Sequence, residues 1–545
     1  MSASDVTRIL VASDRALLVE AADLEATIRL YAALEAAALP GVTELIPAAQ
    51  TILVHHDPLV VSAPELAAAI RTVPPVSGEA ATAGEVVIEV HYDGEDLADV
   101  AEHLGVSTEE VVARHTAAHW TVAFTGFAPG FGYISCDDPF FDVPRRSSPR
   151  TRVPAGSVAL AGLFTGVYPR SSPGGWQIIG RTDEQMWDLD RDPPALLTPG
   201  VAVRFVAADP SERTGAVSEG SGDVDQRPSS SSRRPEHELE VVRPALQLLV
   251  QDTGRPGFSA LGVSASGVAD RGALRAANRA VGNLPGTAAL ELLGGGAVLR
   301  FHGDTVAALT GATAAATLTD RDGVARQVDH GVPFAVADGD ELRLGSAAAG
   351  LRTVLGIRGG VEGPAALGSR ATDTLAGLGP EALRAGDRVP LGDPHTAPYA
   401  VDPLPVVDHE LPVSGEVVEL DVVLGPRSDW FTPEALQVLE SQDWLVTPRS
   451  DRVGIRLQGE VPLSRAIDGE LPSEGAVTGA IQVPADGQPV LFLADHPLTG
   501  GYPIIGAVVD DHLDRAGQLP PGAKVRFRVR PSPIAMTADT SPTDV

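Results

Sequence analysis

The residues best equipped for chemistry are arginines gathered between Pro144 and Thr182, in the stretch PRRSSPRTRVPAGSVALAGLFTGVYPRSSPGGWQIIGRT. Arg145, Arg146, Arg150, Arg152, Arg170 and Arg181 stand there among prolines and the Gly174–Gly175 pair. Proline fixes φ and glycine admits φ > 0, so this composition predicts rigid, sharply turned backbone that presents guanidinium groups. Such groups suit carboxylates and phosphates, which they can grip through two parallel N–H bonds. An arginine-rich surface hairpin fits the same residues, because charge runs ordinarily face solvent. Tyr133, closing the run GFAPGFGY, and Trp176, after the paired glycines, could meet a ligand or fill a core.

The stretch recurs. GGWQIIG at Gly174 to Gly180 is answered by GGYPIIG at Gly500 to Gly506, and TPGVAVRFV (198–206) by PPGAKVRFRV (520–529). VPAG and VPADG, at Val153 and Val483, each stand before an apolar strand, and PRTRV (149–153) faintly echoes PRSDRVGIRL (448–457). Anchors in the same order with similar gaps predict two related β-rich domains in one chain. The second copy adds Arg449, Asp451, Arg452, Glu474, Gln482, Gly500, Gly501 and Tyr502 as candidates; Arg255, in VQDTGRPG, joins them.

At 545 residues the chain is long enough for three or four domains, each with its own core. A net charge of −31 argues against non-specific nucleic-acid binding and against docking on anionic membranes, so anionic ligands must be held by local arginine clusters. Lys524 is the sole lysine and is followed by valine, which excludes a phosphate-binding GxxxxGK[ST] loop. Cys136 is the sole cysteine, excluding an internal disulfide and any multi-cysteine metal site. His55, His56 and His115 lack metal-ligand spacing, and no metal is assigned to them. The opening MSASDVTRIL lacks signal-peptide regions and no apolar run approaches membrane-spanning length, so a soluble cytoplasmic protein is expected.

In order, the sequence predicts a small α+β domain over 1–80 and a β-barrel over 81–208. A linker over 209–240, poor in large apolar side chains, is expected to be disordered. A β-rich domain over 241–410 follows, with one substantial helix at Asp270 to Val281, then a second barrel over 411–532 and a disordered tail over 533–545. Ser107 and Glu110 form a capping box for the helix that follows them. The fold class is mainly β.

The first half, through GFAPGFGYI, PRTRVPAGSVALAG and PGGWQIIGRT, resembles the allophanate hydrolase subunit 1 family, which includes the B subunit of bacterial 5-oxoprolinase and a sporulation kinase inhibitor. The second, through VQDTGRPG, NRAVGN, SDRVGIRL, GAIQVPADGQP and GGYP, resembles the subunit 2 family, which includes the C subunit of the same enzyme. Both halves also resemble the carboxyltransferase part of urea carboxylase. The resemblance implies tandem cyclophilin-like barrels and fused B and C subunits of an enzyme that opens 5-oxoproline to glutamate with ATP and Mg²⁺. It also implies a separate subunit-A-like partner; self-association is left open. In that chemistry, phosphorylation of the amide oxygen turns it into a leaving group, and arginines steady the phosphoryl group and the substrate carboxylate. The candidates are Arg150, Arg152 and Arg181 in the first half and Arg255, Arg427, Arg449, Arg452 and Arg456 in the second, each otherwise pairing with a neighbouring acid. Asp252, Asp270, Asp429, Asp451 and Glu474 are the acids that could hold Mg²⁺ or act as base, with Asp252 and Asp270 favoured as capping groups. Two other readings stand beside this one: a carboxyltransferase acting on urea or another amide, whose biotin carrier would be a different chain, and a kinase-binding regulator.

Overall fold

The computed structural model describes residues 5–74, 84–136, 138–146, 148, 150–208, 237–404, 410–469, 471–532 and 534. The expected linker therefore lies outside the described residues up to 236, as does nearly all of the tail; its last residues, 238–240, are not linker but the start of the strand Glu238–Arg243. The chain divides into two compact units, one formed by Met1–Glu79 with Glu236–Val545, the other by Ala80–Pro235.

In the larger unit, strands β1 (Val6–Ser13), β2 (Ala16–Ala21), β3 (Val42–Pro47) and β4 (Thr51–His56) form an antiparallel sheet in the order β1-β2-β4-β3. Helix α1 (Leu24–Ala37) starts where the Asp23 carboxylate accepts from Ala26 N at 2.7 Å, and α2 (Ala63–Thr72) at the Ser62–Glu65 capping box. The central strands, ALLVEA and TILVHH, are apolar almost throughout rather than alternating, which marks strands covered on both faces. The second cover comes from the far end of the chain. Leu17, Val19, Leu53 and Ile70 share one core with Val423, Val477, Phe492, Leu498 and Ile504. Residues 5–74, expected to go with the first half, are thus built into one unit with the second.

The smaller unit contains β5 (Glu85–Val90), β6 (Trp120–Thr125), β7 (Gly132–Ser135), β8 (Arg150–Val153), β9 (Ser157–Ala161), β10 (Phe164–Val167), β11 (Ser172–Gly174), β12 (Gln177–Arg181) and β13 (Ala202–Ala207). Seven of them form one sheet in the order β12-β9-β10-β7-β6-β13-β5, rolled until His91 bridges Arg181, while β8 and β11 pair separately. Helices α3 (Leu97–Leu104) and α4 (Thr108–Ala117) lie between β5 and β6. Ser107 caps α4 by accepting from Glu110 N at 3.3 Å, but only this half of the predicted capping box is present, because the Glu110 carboxylate pairs with Arg114 at 2.7 Å. The Trp120 indole closes the helix end by donating to the His115 carbonyl at 2.9 Å.

Residues 237–404 supply β14 (Glu238–Arg243), β15 (Gln247–Gln251), β16 (Ala289–Leu293), β17 (Val298–His302), β18 (Thr305–Thr319), β19 (Ala325–Val328), β20 (Phe334–Val336), β21 (Glu341–Ile357) and β22 (Arg388–Pro390). They form a nine-stranded sheet around an aliphatic core. Its helix α5 (Arg271–Val281) falls where the sequence places it, with Asp270 as its cap.

The second barrel closes fully, in the order β23-β30-β27-β28-β25-β24-β31. Its strands are β23 (Val417–Leu424), β24 (Trp444–Val446), β25 (Gly454–Gln458), β26 (Glu474–Gly475), β27 (Ala480–Gln482), β28 (Val490–Phe492), β29 (Thr499–Gly500), β30 (Ile504–Val508) and β31 (Lys524–Val529), with helices α6 (Pro433–Ser441) and α7 (Asp510–Gly517). Each barrel repeats the other strand for strand: β5 is parallel to β13 as β23 is to β31, and the β8–β11 pair recurs as β26–β29. The Trp444 indole donates to the Leu439 carbonyl at 3.0 Å, as Trp120 does to His115.

Two of the sequence anchors are true equivalents. Gly174 faces Arg150 as Gly500 faces Glu474, and Ala202 begins its register as Lys524 does. The other two are false. VPAG precedes β9 whereas VPADG follows β27, the strand equivalent to β9. PRTRV ends on β8, but PRSDR precedes β25, the equivalent of β7.

Candidate functional site

Arg452 anchors a buried ionic network in the larger unit. Only 1% of its side chain is exposed; Nε donates to Asp495 Oδ2 at 3.0 Å, Nη1 to Glu291, and Nη2 to the Gly267 carbonyl and to Asp495 Oδ1 at 3.0 Å. Glu291 also accepts from Ala269 N at 2.9 Å and lies near the buried Arg352, which donates to the Gly517 carbonyl. Burial pushes the Asp495 carboxyl up, but Arg452 outweighs it and holds the group below its ordinary value. Each Arg452 nitrogen is therefore committed to protein, which makes it a positioning residue and not a ligand contact.

That network sets the wall of a cavity of about 290 Å³ bounded by the N-terminal sheet, the 237–404 domain and the second barrel. Ser266 lines it and donates to Asp495 Oδ1 at 2.7 Å, with φ 54°. A non-glycine residue held in the left-handed region costs energy and persists where its surroundings over-determine it. Thr374 completes Asp495 through its amide at 2.9 Å and its hydroxyl at 2.7 Å. Val268, Val477 and Leu493 give the cavity apolar walls, and Arg15, Arg271, Asp14 and Asp510 a charged rim. Asp510 pairs with Arg15 at 3.1 Å and Arg271 at 2.8 Å, while Asp14 accepts the Asp510 amide at the start of α7. Burial, then repulsion from Asp510, raises Asp14.

His55 also lines the cavity, and burial brings it down to about 4. His496 lies behind, likewise lowered by burial to about 4; its Nδ1 faces the Pro497 carbonyl at 2.8 Å and must carry the proton, leaving Nε2 to accept from the Thr478 hydroxyl at 3.1 Å. Both rings are thus neutral near pH 7. In an unfolded chain they titrate near pH ~6.5, so the stability they contribute is complete above that value and is lost as pH falls toward about 4. The urea midpoint of the larger unit is expected to drop between pH 7 and 5, and His496→Asn to reduce that slope. A pH-independent midpoint over that range would contradict the neutral-ring assignment.

The sequence candidates separate into groups. In the first barrel, Tyr133 stacks on Phe124 at 4.3 Å and packs edge-on with Trp176, which is buried. Gly174 passes against the Tyr168 hydroxyl where a Cβ would collide, and the Gly175 carbonyl accepts from Arg146 N. Arg150 pairs with Asp96 at 2.7 Å and Glu95 at 2.9 Å, and Arg181 with Asp93 at 3.1 Å; Arg152 is exposed and donates to Ser171. In the second barrel, Glu474 receives Arg427 Nε at 2.9 and 3.0 Å, Gln482 donates to the Tyr502 carbonyl, and Gly500 runs beside the Gln482 amide. Gly501 is half-buried, and Tyr502 is exposed with the Arg465 guanidinium 6.0 Å from its ring centre.

Arg449 and Arg456 are exposed, and Asp451 caps its own turn by accepting from Val453 N and Gly454 N. Asp252 accepts from Gly254 N, Ser369 and Arg370 N, Asp270 caps α5, and Asp429 pairs with Arg8. Arg255 is fully buried and donates to the Ala366 and Ala371 carbonyls, and Asp373, 3.9 Å from it, is raised by burial to about 6. None of the sequence candidates lines the cavity; Arg452 stands one layer behind Ser266. Ser266, His55 and Asp495 were missed as chemistry, and only the glycine after Ser266 hinted at unusual backbone. Among the described residues, no group of three or more His, Cys, Asp or Glu side chains forms a metal site. No helix among them is long and apolar enough to cross a membrane.

The carboxyltransferase domain family matches the chain twice, subdomains A and B over residues 261–529 and subdomains C and D over 7–197. The chain is 33% identical over 292 residues to the C subunit of 5-oxoprolinase from Escherichia coli, covering 53% of this chain and 90% of that one. It is 41% identical over 183 residues to the B subunit of 5-oxoprolinase from Bacillus subtilis, covering 31% and 76%. It is 34% identical over 307 residues to urea amidolyase of Saccharomyces cerevisiae, spanning 53% of this chain but 16% of that protein. The crystal structure of TTHA0988 superposes with a TM-score of 0.78 at 34% identity, over 94% of this chain and 99% of that one.

Proposed function

Because the chain belongs to the carboxyltransferase-domain family, with relatives among the B and C subunits of 5-oxoprolinase, we propose that it is the joined B and C component of an ATP-dependent 5-oxoprolinase. The observation that carries this reading is coverage: one polypeptide spans 90% of a C subunit and 76% of a B subunit. A separate subunit-A-like protein completes the enzyme.

The substrate is a five-membered lactam bearing a carboxylate. The cavity of about 290 Å³ lies at the lower edge of ligand-pocket volumes, ~300–1,000 Å³, and suits a molecule of that size. Valine and leucine walls take the ring methylenes, and the Arg15–Arg271 rim takes the carboxylate. Ser266, aimed by Asp495, hydrogen-bonds the amide. His55, neutral near pH 7, accepts a proton from the attacking water. With the γ-phosphoryl group of ATP transferred to the amide oxygen and ADP released, water oxygen bonds to the carbonyl carbon and the ring C–N bond breaks as the nitrogen takes a proton. This gives γ-glutamyl phosphate, which a second water hydrolyses to glutamate and phosphate.

A nucleoside triphosphate does not fit this cavity, which is too small for it. The nucleotide, with Mg²⁺, belongs with the partner in the assembled enzyme. The match to urea amidolyase keeps carboxyl transfer as a second reading, in which biotin rides on another chain, since Lys524 is the first residue of β31. The test is glutamate release from 5-oxoproline by the chain with its subunit-A-like partner, with and without ATP, alongside urea carboxylation with a biotinylated carrier. Release that requires ATP and both proteins is expected. Carboxylation without glutamate release would transfer the assignment to the second reading.

A further inference from the structure

The two barrels carry ion triads of opposite sign that share two equivalent positions. Gly94 N and Asp96 N donate to the Ile179 and Ile178 carbonyls; Gly425 N and Arg427 N donate to Ile505 and Ile504. Asp96 and Arg427 therefore hold one topological position. Their partners do too, since Arg150 faces Gly174 where Glu474 faces Gly500. In the first barrel, Asp96 lies between Arg146 and Arg150; in the second, Arg427 lies between Glu20 and Glu474. Glu20 comes from β2 of the N-terminal sheet.

The apolar contacts around the triad change in the same sense. Val423, Ala480, Leu498 and Ala507 share the core of the N-terminal sheet. From the strand registers, their first-barrel equivalents are His91, Ser157, Ser172 and Arg181. We propose that the reversed triad and its polar surround form a selectivity device. It seats the N-terminal sheet on the second barrel and rejects it from the first, although the first is nearer in sequence. At the second barrel Glu20 meets the Arg427 guanidinium, whereas at the equivalent point of the first its place beside Asp96 is already filled by Arg146, so an incoming Glu20 would have to displace that arginine and face the Asp96 carboxylate. Discrimination then comes from repulsion as well as attraction. This surface fits one partner, a barrel of the second type, and the inference does not depend on the proposed reaction.

The test uses the full chain with a protease site introduced within 75–83. After cleavage, wild type is expected to retain the N-terminal fragment on size exclusion. Arg427→Asp with Glu474→Arg, which installs the first-barrel arrangement, should lower retention at least tenfold. Adding Glu20→Arg and Arg8→Gln should restore it; Arg8 is neutralised because it pairs with Glu20. Release of the fragment from wild type, full retention by the reversed variant, or failure of the four-substitution chain to regain the fragment would each overturn the proposal.

Discussion

Arg452→Ala is expected to destabilise the larger unit by about 3–5 kcal/mol, the usual cost of removing one partner from a buried ion pair. The substitution would leave Asp495 and Glu291, 0% and 3% exposed in their side chains, without their shared cation. Arg452→Lys should recover little, because one ammonium cannot serve two carboxylates and the Gly267 carbonyl in their present directions. Asp495→Asn in the Arg452→Ala background should restore part of the loss by removing one unpaired charge. Urea unfolding followed by the fluorescence of Trp444, buried in the second barrel, reads all three. An Arg452→Ala chain with an unchanged midpoint and lost activity would return this arginine to the list of ligand contacts.

Ser266→Gly should separate chemistry from stability. Glycine tolerates the left-handed backbone at φ 54°, so the fold should hold or gain slightly. The lost hydroxyl, hydrogen-bonded to a carboxylate and facing the cavity, should cost about ten- to a hundredfold in turnover, the equivalent of ~1.5–3 kcal/mol. Ser266→Ala should lose similar activity and be less stable than Ser266→Gly, because alanine keeps the strain. Wild-type turnover in Ser266→Gly would remove the hydroxyl from the mechanism.

The two-barrel architecture was legible because a barrel turn with paired glycines constrains residue type locally. GGWQIIG and GGYPIIG mark equivalent turns, and β13 and β31 follow equivalent PG turns. The cap at Ser107 and the helix after Asp270 were legible for the same reason. The partnership of residues 5–74 with the second barrel was not, because it depends on contacts more than 400 residues apart, such as Glu20 with Arg427. Its trace was the unbroken apolar run of β2 and β4, which says that both faces are covered but not by what.

The candidate site was harder to read. Arginine count pointed to side chains that neutralise acids inside the fold, whereas the cavity is lined by an unremarked serine and by His55, which was weighed only as a metal ligand. Arg452 was singled out for its charge, and its charge is spent internally. Asp495 and Glu291, which hold it, lie 43 and 161 residues away in sequence. No spacing rule connects groups that meet only when three parts of the chain fold together.

The most direct measurement of the central claim is ATP-dependent glutamate release from 5-oxoproline by the chain and its subunit-A-like partner, comparing wild type with Ala494→Leu. Ala494 lines the cavity, and leucine there takes up space the lactam needs. Release by wild type is expected, with at least a tenfold loss in the folded, partner-bound variant. Equal rates in the two proteins would place the reaction elsewhere and contradict the assignment of this cavity.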